Sequence, residues 1–258
     1  MIGTINGGFA NMTFSYNAVW EDTLALLRRH GPLLAAIAGV FLFLPALLFA
    51  VFLQPPEPDT RDVQVVFQVM TNYWTVAAPW VLAQILVSTI GSIAMLRLVF
   101  ATNGTVGEAL VFALLLLPFY VLLSICSTLI IAVGFILLIV PGIYLIGRIA
   151  PAPAVMVAET RRNPIAAIQR SFEITKGRGW HVLGLIFVVG VVGSIVIGTA
   201  GTLAGLVFRL AAGLELGKLL TGVVTSALNA AFGTLFVMLY AAIYRALTAP
   251  EKVAETFA

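Results

Sequence analysis

The sequence predicts an all-α, polytopic membrane protein in which six transmembrane helices form a single bundle. Of its 258 residues, 61% are hydrophobic and only 10% are charged, a composition far outside the range of soluble domains. The apolar residues also gather into long runs, and about 20 helical residues suffice to cross a hydrocarbon core of about 30 Å. These runs lack the alternating pattern of barrel strands, so helices must satisfy their backbone groups in lipid.

Six runs are long enough to cross a membrane, and we assign the whole chain, 1–258, to one membrane domain. The predicted spans are 32–53, 76–101, 109–133, 135–156, 180–208 and 219–244. Residues 1–15 have neither a basic nor an apolar region typical of a signal peptide. We therefore expect them to form a flexible N-terminus, with the first span serving as the insertion signal.

The distribution of basic residues predicts the orientation of the spans. With the N-terminus inside, all but three of the 14 Lys and Arg residues fall on cytoplasmic segments. The three exceptions are Arg61, Arg209 and Lys218. Because cytoplasmic loops carry an excess of Lys and Arg, both termini are predicted to be cytoplasmic.

Short amphipathic segments precede three pairs of spans on the predicted cytoplasmic side. They are expected as interfacial helices at about 17–29, 105–110 and 163–176. Thr105 and Glu108 have the spacing of a capping box at a helix start. Asn163 is suited to cap the third helix, and Gly177 to the position just beyond its end.

Glycine and proline mark two further features within the spans. Pro141 and Gly142 predict a break near the outer side of the fourth span, either a structural interruption or a gate. The fifth span is long, so we expect a kink or tilt around Gly198. Gly201 and Gly205 have the spacing of close helix contacts, which favours packing within the bundle over a homodimer contact or a hinge.

One run of residues resembles a known bacterial family. The run is Pro141, Gly142, Ile143, Tyr144, Leu145, Arg148, Glu159, Ala167, Arg170, Ser171, Thr175, Lys176, Gly177 and Trp180. It is similar to the glycerophosphodiester phosphodiesterase membrane domain and its stand-alone relatives. The resemblance implies six spans with cytoplasmic interfacial helices in a bacterial inner membrane. Some relatives carry a fused catalytic barrel; after the sixth span this chain has too few residues for one, so we expect no phosphodiesterase activity.

The titratable residues argue against an enzyme. The chain contains neither the His-Glu-x-x-His pattern of metalloproteases nor the Gly-x-Ser-x-Gly elbow of esterases. Its two histidines, His30 and His181, lie at cytoplasmic ends of spans, and Cys126 is the single cysteine. No acid lies deep in a predicted span, which also disfavours a proton-coupled carrier. We expect no catalysis, no metal and no cofactor.

A group of basic residues at the cytoplasmic side is the main candidate site. Its members are Arg148, Arg170, Lys176, Arg178 and His181. In one interpretation the two arginines are forked donors to a lipid phosphate or another anion, with the other three residues at the rim. In the other, which we favour, the arginines extend to the interface and pair with acids such as Glu159, so that the interfacial helices are held against the bundle.

Two functions follow from these observations. The favoured one is a scaffold or accessory module whose basic cytoplasmic face contacts anionic lipid or a partner. The alternative is a carrier or channel for a lipid or other amphipathic solute, with a cavity lined by Gln84, Asn229 and the breaks at Pro141 and Gly198. A continuous polar path would favour the carrier, and a dry apolar centre the scaffold. Membrane lipids are the expected partners, with a second copy or another membrane protein left open and nucleic acid excluded.

Overall fold

The computed structural model describes residues 14–53, 56, 62–101 and 104–256, with side chains up to Ala249. Within these ranges the protein is helical and contains no strand. The helices are α1 (Tyr16–Ala38), a π-helical segment (Gly39–Phe43), α2 (Leu44–Phe52), α3 (Val63–Phe100), α4 (Val106–Leu137), α5 (Ile139–Ile149), α6 (Ala152–Ala158), α7 (Pro164–Ile174), α8 (Gly179–Ala212) and α9 (Leu214–Thr256).

The predicted fold class is confirmed, because six helical stretches are long and apolar enough to cross a membrane. They are Tyr16–Phe52, Val63–Phe100, Val106–Leu137, Ile139–Ala158, Gly179–Ala212 and Leu214–Ala249. Contacts between neighbours run from α1 to α3, α4, α5, α8, α9 and back to α1, which closes a ring. The short helix α6 contacts α3, α4, α7 and α9, so it lies inside that ring.

The interior is packed most tightly around α6. Five of its seven residues are completely inaccessible to solvent: Ala152, Ala154, Val155, Met156 and Val157. The buried residues of α3 and α9 that surround it are also apolar: Ile93, Ala94, Met95, Leu96 and Leu98 on α3, and Val237, Met238, Leu239, Ala241, Ala242 and Ile243 on α9. In α2, by contrast, no residue is buried. The core therefore lies toward one end of the bundle.

Two of the three expected interfacial helices are not separate elements. Residues 17–29 are the first part of the helix that continues through Pro32 into the first span. Residues 105–110 are the start of α4, whose first turn is closed by the predicted capping box. Only the third is an independent helix, α7. The N-terminal segment 1–15, which we expected to be flexible, lies almost entirely outside the described residues.

Helix α7 begins and ends as its sequence predicts. The Asn163 carboxamide oxygen accepts hydrogen bonds from the backbone N–H groups of Ile165 (3.0 Å) and Ala166 (3.3 Å). After the helix, Gly177 has a φ of 75°, a left-handed conformation that glycine adopts without a steric penalty. Helix α7 is therefore a separate helix with its own N-cap and C-terminal glycine, and it lies between the fourth and fifth spans in sequence.

The fourth span differs from its prediction at the start. Helix α4 continues to Leu137, Leu138 alone is extended, and α5 begins at Ile139 instead of 135. Pro141 therefore lies in the first turn of α5, where a missing N–H removes no helical hydrogen bond, and no break occurs at Pro141 and Gly142. Gly142 instead lets α5 approach α4 closely, since an added Cβ would lie 2.8 Å from the Phe135 nitrogen.

Helix α8 runs without interruption through Gly198, so the expected irregularity there is not a break in the helix. Gly201 and Gly205 face α9 of the same chain. A Cβ added at these two positions would lie 3.0 and 3.5 Å from the methyl groups of Thr225 and Thr221, respectively. These contacts agree with packing inside the bundle, the favoured interpretation.

The π-helical segment in the first span was not predicted. Here the Leu44 N–H bonds the Gly39 carbonyl, five residues earlier. Pro45 follows directly, and a proline in a regular α-helix would clash with the carbonyl four residues before it. The wider turn relieves this conflict. Gly91 on α3 accommodates the segment, because an added Cβ would lie 2.5 Å from Phe41 Cβ.

The capping box of α4 provides a first test of the local structure. The Thr105 hydroxyl accepts from the Glu108 N–H, and the Glu108 carboxylate accepts from the Thr105 N–H, both at 3.2 Å. We expect Thr105→Ala to lower the free energy of unfolding by about 1 kcal/mol, because one helical N–H loses its acceptor. Thr105→Ser should be nearly neutral. Reversible unfolding in mixed micelles measures both, and equal losses would contradict the capping role.

Candidate functional site

Most of the charged residues gather at one end of the bundle, which we call the charged end. It comprises the beginnings of α1, α4 and α8, the ends of α3 and α9, and helices α6 and α7. The Arg245 guanidinium on α9 pairs with the Asp22 carboxylate on α1 at 3.3 Å. The rings of Phe100 and Tyr244 meet edge to face with centroids 5.5 Å apart, joining α3 to α9. Side chains of three helices, α1, α3 and α9, thus tie this end together.

Glu159, in the turn after α6, is the centre of an ion-pair network. Its carboxylate accepts from Arg161 Nε at 2.6 Å and from Arg170 Nε at 3.3 Å. The Tyr244 hydroxyl donates to the same carboxylate at 3.2 Å. Because the Glu159 side chain is only 19% exposed, these bonds are shielded from much of the solvent. The network joins α6, α7 and α9.

Arg170 is therefore engaged by acids. Besides Glu159, its Nη1 lies 3.3 Å from the carboxylate of Glu173 on the same helix. The contacts of Arg170 match the interpretation in which arginines hold the interfacial helix against the bundle. They do not place Arg170 beside Arg148 as a second donor to a shared anion.

Arg148, near the end of α5, has partners of a different kind. Its Nη1 donates to the Tyr144 hydroxyl at 3.1 Å, and its Nη2 donates to the Phe172 carbonyl at 2.5 Å. The guanidinium carbon also lies 4.9 Å from the centroid of the Phe172 ring. The Arg148 carbonyl in turn accepts from the Ser171 hydroxyl at 2.7 Å. Arg148 thus binds α7 to α5 through neutral groups.

The charge of Arg148 is incompletely compensated. Its Nε is buried and has no acceptor among the described residues. Within the same ranges no carboxylate lies within ion-pair distance of its guanidinium. A buried donor without an acceptor costs about 1–3 kcal/mol, and a cation–π contact returns about 0.5–2 kcal/mol.

The three predicted rim residues are spread over the connection from α7 to α8. Lys176 and His181 are exposed, and Arg178 is half-buried. The His181 ring packs near Tyr16 and Phe14 at the start of α1, with centroid distances of 6.0 and 6.3 Å. His181 therefore contributes to a contact between α1 and α8, and the five predicted residues do not converge on one pocket.

The residues proposed to line a transport path lie in separate grooves. Gln84 borders an apolar groove of about 710 Å³ between α2 and α3. Asn229 is exposed in another groove, between α8 and α9, and its amide donates to the Thr225 carbonyl at 2.7 Å. The buried hydroxyls of Thr23, Thr175, Thr234 and Thr248 each bond a carbonyl of their own helix. These two grooves therefore do not bring Gln84 and Asn229 together.

Sequence reasoning missed the aromatic and backbone partners of this end. Tyr244 and Phe172 lie far from Glu159 and Arg148 in sequence, and nothing in their local pattern indicates these pairings. The one available signal is that α7 must pack its apolar face, with Phe172, against the preceding span.

Comparison of the chain with family models, with curated proteins and with solved structures gave no match. Function must therefore be inferred from the residues themselves.

Proposed function

We propose that this protein is a non-catalytic scaffold or accessory module of the bacterial inner membrane. Its charged end lies at the cytoplasmic surface and contacts anionic lipid or a membrane-protein partner. The observation that carries this proposal is that acidic residues of the charged end pair within the chain, whereas several of its basic side chains are exposed. Glu159 and Asp22 are engaged within the chain, whereas Arg28, Arg29, Arg162 and Lys176 are exposed.

Electrostatics at a membrane surface supports this role. Each Lys or Arg near an anionic leaflet contributes about 1 kcal/mol of attraction. Because the ion pairs around Glu159 hold α7 in place, the exposed Arg162 and Lys176 at the two ends of that helix keep a defined position. A rigid basic surface of this kind suits the recruitment of anionic lipid.

The packed centre favours this role over the alternative of a carrier. Helix α6 lies inside the ring, and five of its seven residues are fully buried. Transport through the bundle would require α6 to move and its apolar neighbours to separate. Gln84 and Asn229, which a carrier would need in one cavity, border different grooves.

We also infer that the chain is a stand-alone relative of the glycerophosphodiester phosphodiesterase membrane domain. The support is the run from Pro141 to Trp180, several of whose members make the contacts that build the charged end. Arg148, Glu159, Arg170 and Ser171 each bond a partner on a different element. The concentration of these residues in one short run is explained if members of the family hold α7 against the bundle through the same contacts.

The lipid preference of the exposed bases can be tested directly. In nanodiscs of mixed phosphatidylglycerol and phosphatidylcholine, we expect the protein to enrich phosphatidylglycerol in its lipid shell. The double substitution Arg162→Gln with Lys176→Gln should reduce that enrichment several-fold, because about 1 kcal/mol is lost per base. Lipid extraction with mass spectrometry quantifies the ratio.

The matched control is Arg209→Gln, which removes an exposed arginine at the opposite end of α8. Because it removes one base instead of two, it should reduce the enrichment less than the double substitution does. An unenriched shell around the wild-type protein, or an equal effect of Arg209→Gln, would contradict the proposed basic face.

A further inference from the structure

Arg148 occupies a position that its neutral partners do not explain. It lies within the 20-residue apolar stretch Ile139–Ala158, in the last turn of α5, where that helix meets the start of α8 at the charged end. An ionised residue within such an apolar stretch ordinarily pairs with an acid, a backbone group or a bound ligand. Arg161 and Arg170 contact Glu159, whereas the partners of the Arg148 guanidinium among the described residues are a carbonyl, a phenol and two rings.

The chemistry of the guanidinium indicates which kind of ligand it would bind. Arginine presents five N–H groups in a planar fork that matches phosphate geometry. The contacts with Tyr144 and Phe172 use one N–H on each terminal nitrogen, and Nε has no acceptor within the described part of the chain. Donors therefore remain available for an anion with several oxygens.

The surroundings of Arg148 indicate that the anion arrives from the bilayer. The Tyr144 ring packs against the ring of Trp180, with centroids 5.4 Å apart, and Trp180 is 55% exposed. Tyr and Trp are the side chains enriched at the level of lipid headgroups. These neighbours give the guanidinium an aromatic border typical of a site at the headgroup level.

The contact between α5 and α8 keeps this donor in place. A Cβ added at Gly179, the first residue of α8, would lie 2.7 Å from Arg148 Cδ and 2.8 Å from the Tyr144 ring. The aliphatic part of Arg148 therefore lies directly across the start of α8. With Phe172 holding the guanidinium from α7, the side chain is fixed by three helices.

We propose that Arg148 binds the phosphate of one membrane phospholipid at the contact between α5 and α8, with the Tyr144 hydroxyl as a second donor and Trp180 beside the headgroup. The Tyr144 side chain turns its hydroxyl from Arg148 toward the phosphate, which opens the guanidinium to the ligand. This inference deepens the proposed lipid-contacting function and rests on it. It differs in one respect: the ligand is the phosphate shared by all phospholipids, not the net negative charge of a particular headgroup.

The test is native mass spectrometry of the purified full chain, incubated in detergent with phosphatidylcholine or with diacylglycerol of matched acyl chains. We expect the wild-type protein to retain one phosphatidylcholine and no diacylglycerol, which lacks the phosphate. Arg148→Gln should weaken phosphatidylcholine retention about tenfold, because hydrogen bonds to a charged donor are lost. Arg209→Gln, the matched control at an exposed arginine at the opposite end of α8, should retain it normally.

Two further measurements keep the outcome decisive. Tyr144→Phe preserves the ring packing and should also weaken retention, although less than Arg148→Gln does. It provides a second test of the site if Arg148→Gln fails to fold. Excess inorganic phosphate should not displace the lipid; displacement would identify a site for free anions and overturn the phospholipid assignment. Equal retention by wild type, Tyr144→Phe and folded Arg148→Gln would also overturn it. If the wild-type protein retained one phosphatidylcholine but did not enrich phosphatidylglycerol in nanodiscs, only the proposal of a basic lipid-contacting face would be refuted.

Discussion

Glu159→Gln is expected to lower the free energy of unfolding by about 2 kcal/mol, the cost of leaving partly buried charges with a weaker acceptor. The substitution keeps the shape of the side chain but removes the negative charge that faces Arg161 and Arg170. It also weakens the acceptor of the Tyr244 hydroxyl, which connects this network to α9. Reversible unfolding in mixed micelles would measure the loss.

Glu173→Gln is the matched control. Glu173 pairs with the same arginine, Arg170, but its side chain is 65% exposed. Exposed ion pairs contribute about 0–1 kcal/mol, so this variant should unfold almost like the wild type. Equal destabilisation by the two variants would show that Glu159 does not organise the charged end. A loss confined to Glu159→Gln would support its central position between α6, α7 and α9.

Gly147→Val should have the largest steric effect. Gly147 is buried where α5 crosses the start of α8, and an added Cβ would overlap the Gly179 carbonyl oxygen and lie 2.8 Å from Leu183 Cβ. Since backbone atoms cannot move aside as a flexible side chain can, the helices must separate. We expect a loss of about 3 kcal/mol, at the upper end of typical overpacking costs, and a lower melting temperature in detergent.

The matched control for this substitution is Gly198→Ala on α8. An added Cβ there meets no described atom within 4 Å, so the change should not reduce the melting temperature. If Gly147→Val were as stable as Gly198→Ala, the close crossing of α5 and α8 that positions Arg148 would be wrong. The pair therefore tests the packing on which the proposed phospholipid site depends.

Features governed by local chemistry could be predicted from the sequence. The spans follow from the length of apolar runs, and the ends of α7 follow from Asn163 and Gly177, whose roles depend on residues within one or two turns. The capping box of Thr105 and Glu108 was also predicted, although it begins a span instead of a separate helix. Sequence alone could not show that the helix from Tyr16 would pass through Pro32 without ending.

Features governed by distant contacts could not be predicted. The π-helical segment depends on Pro45 and also on the space that Gly91 leaves on another helix. Pro141 was predicted to interrupt the fourth span. The local sequence does not reveal that α4 ends before Leu138, so that Pro141 falls in the first turn of the next helix. At the candidate site, the basic residues were found but their partners were not. Tyr244 reaches Glu159 across 85 residues, and only the fold brings them together.

The central claim, that the charged end faces the cytoplasm, is tested most directly by cysteine accessibility in bacterial cells. In a Cys126→Ser background, Lys176→Cys would report on the charged end and Leu214→Cys on the turn between α8 and α9, since both positions are exposed. A membrane-impermeant thiol reagent should label position 214 in intact cells and position 176 only after the membrane is opened. Labelling of position 176 in intact cells would contradict the cytoplasmic placement and, with it, the proposed basic lipid-contacting face.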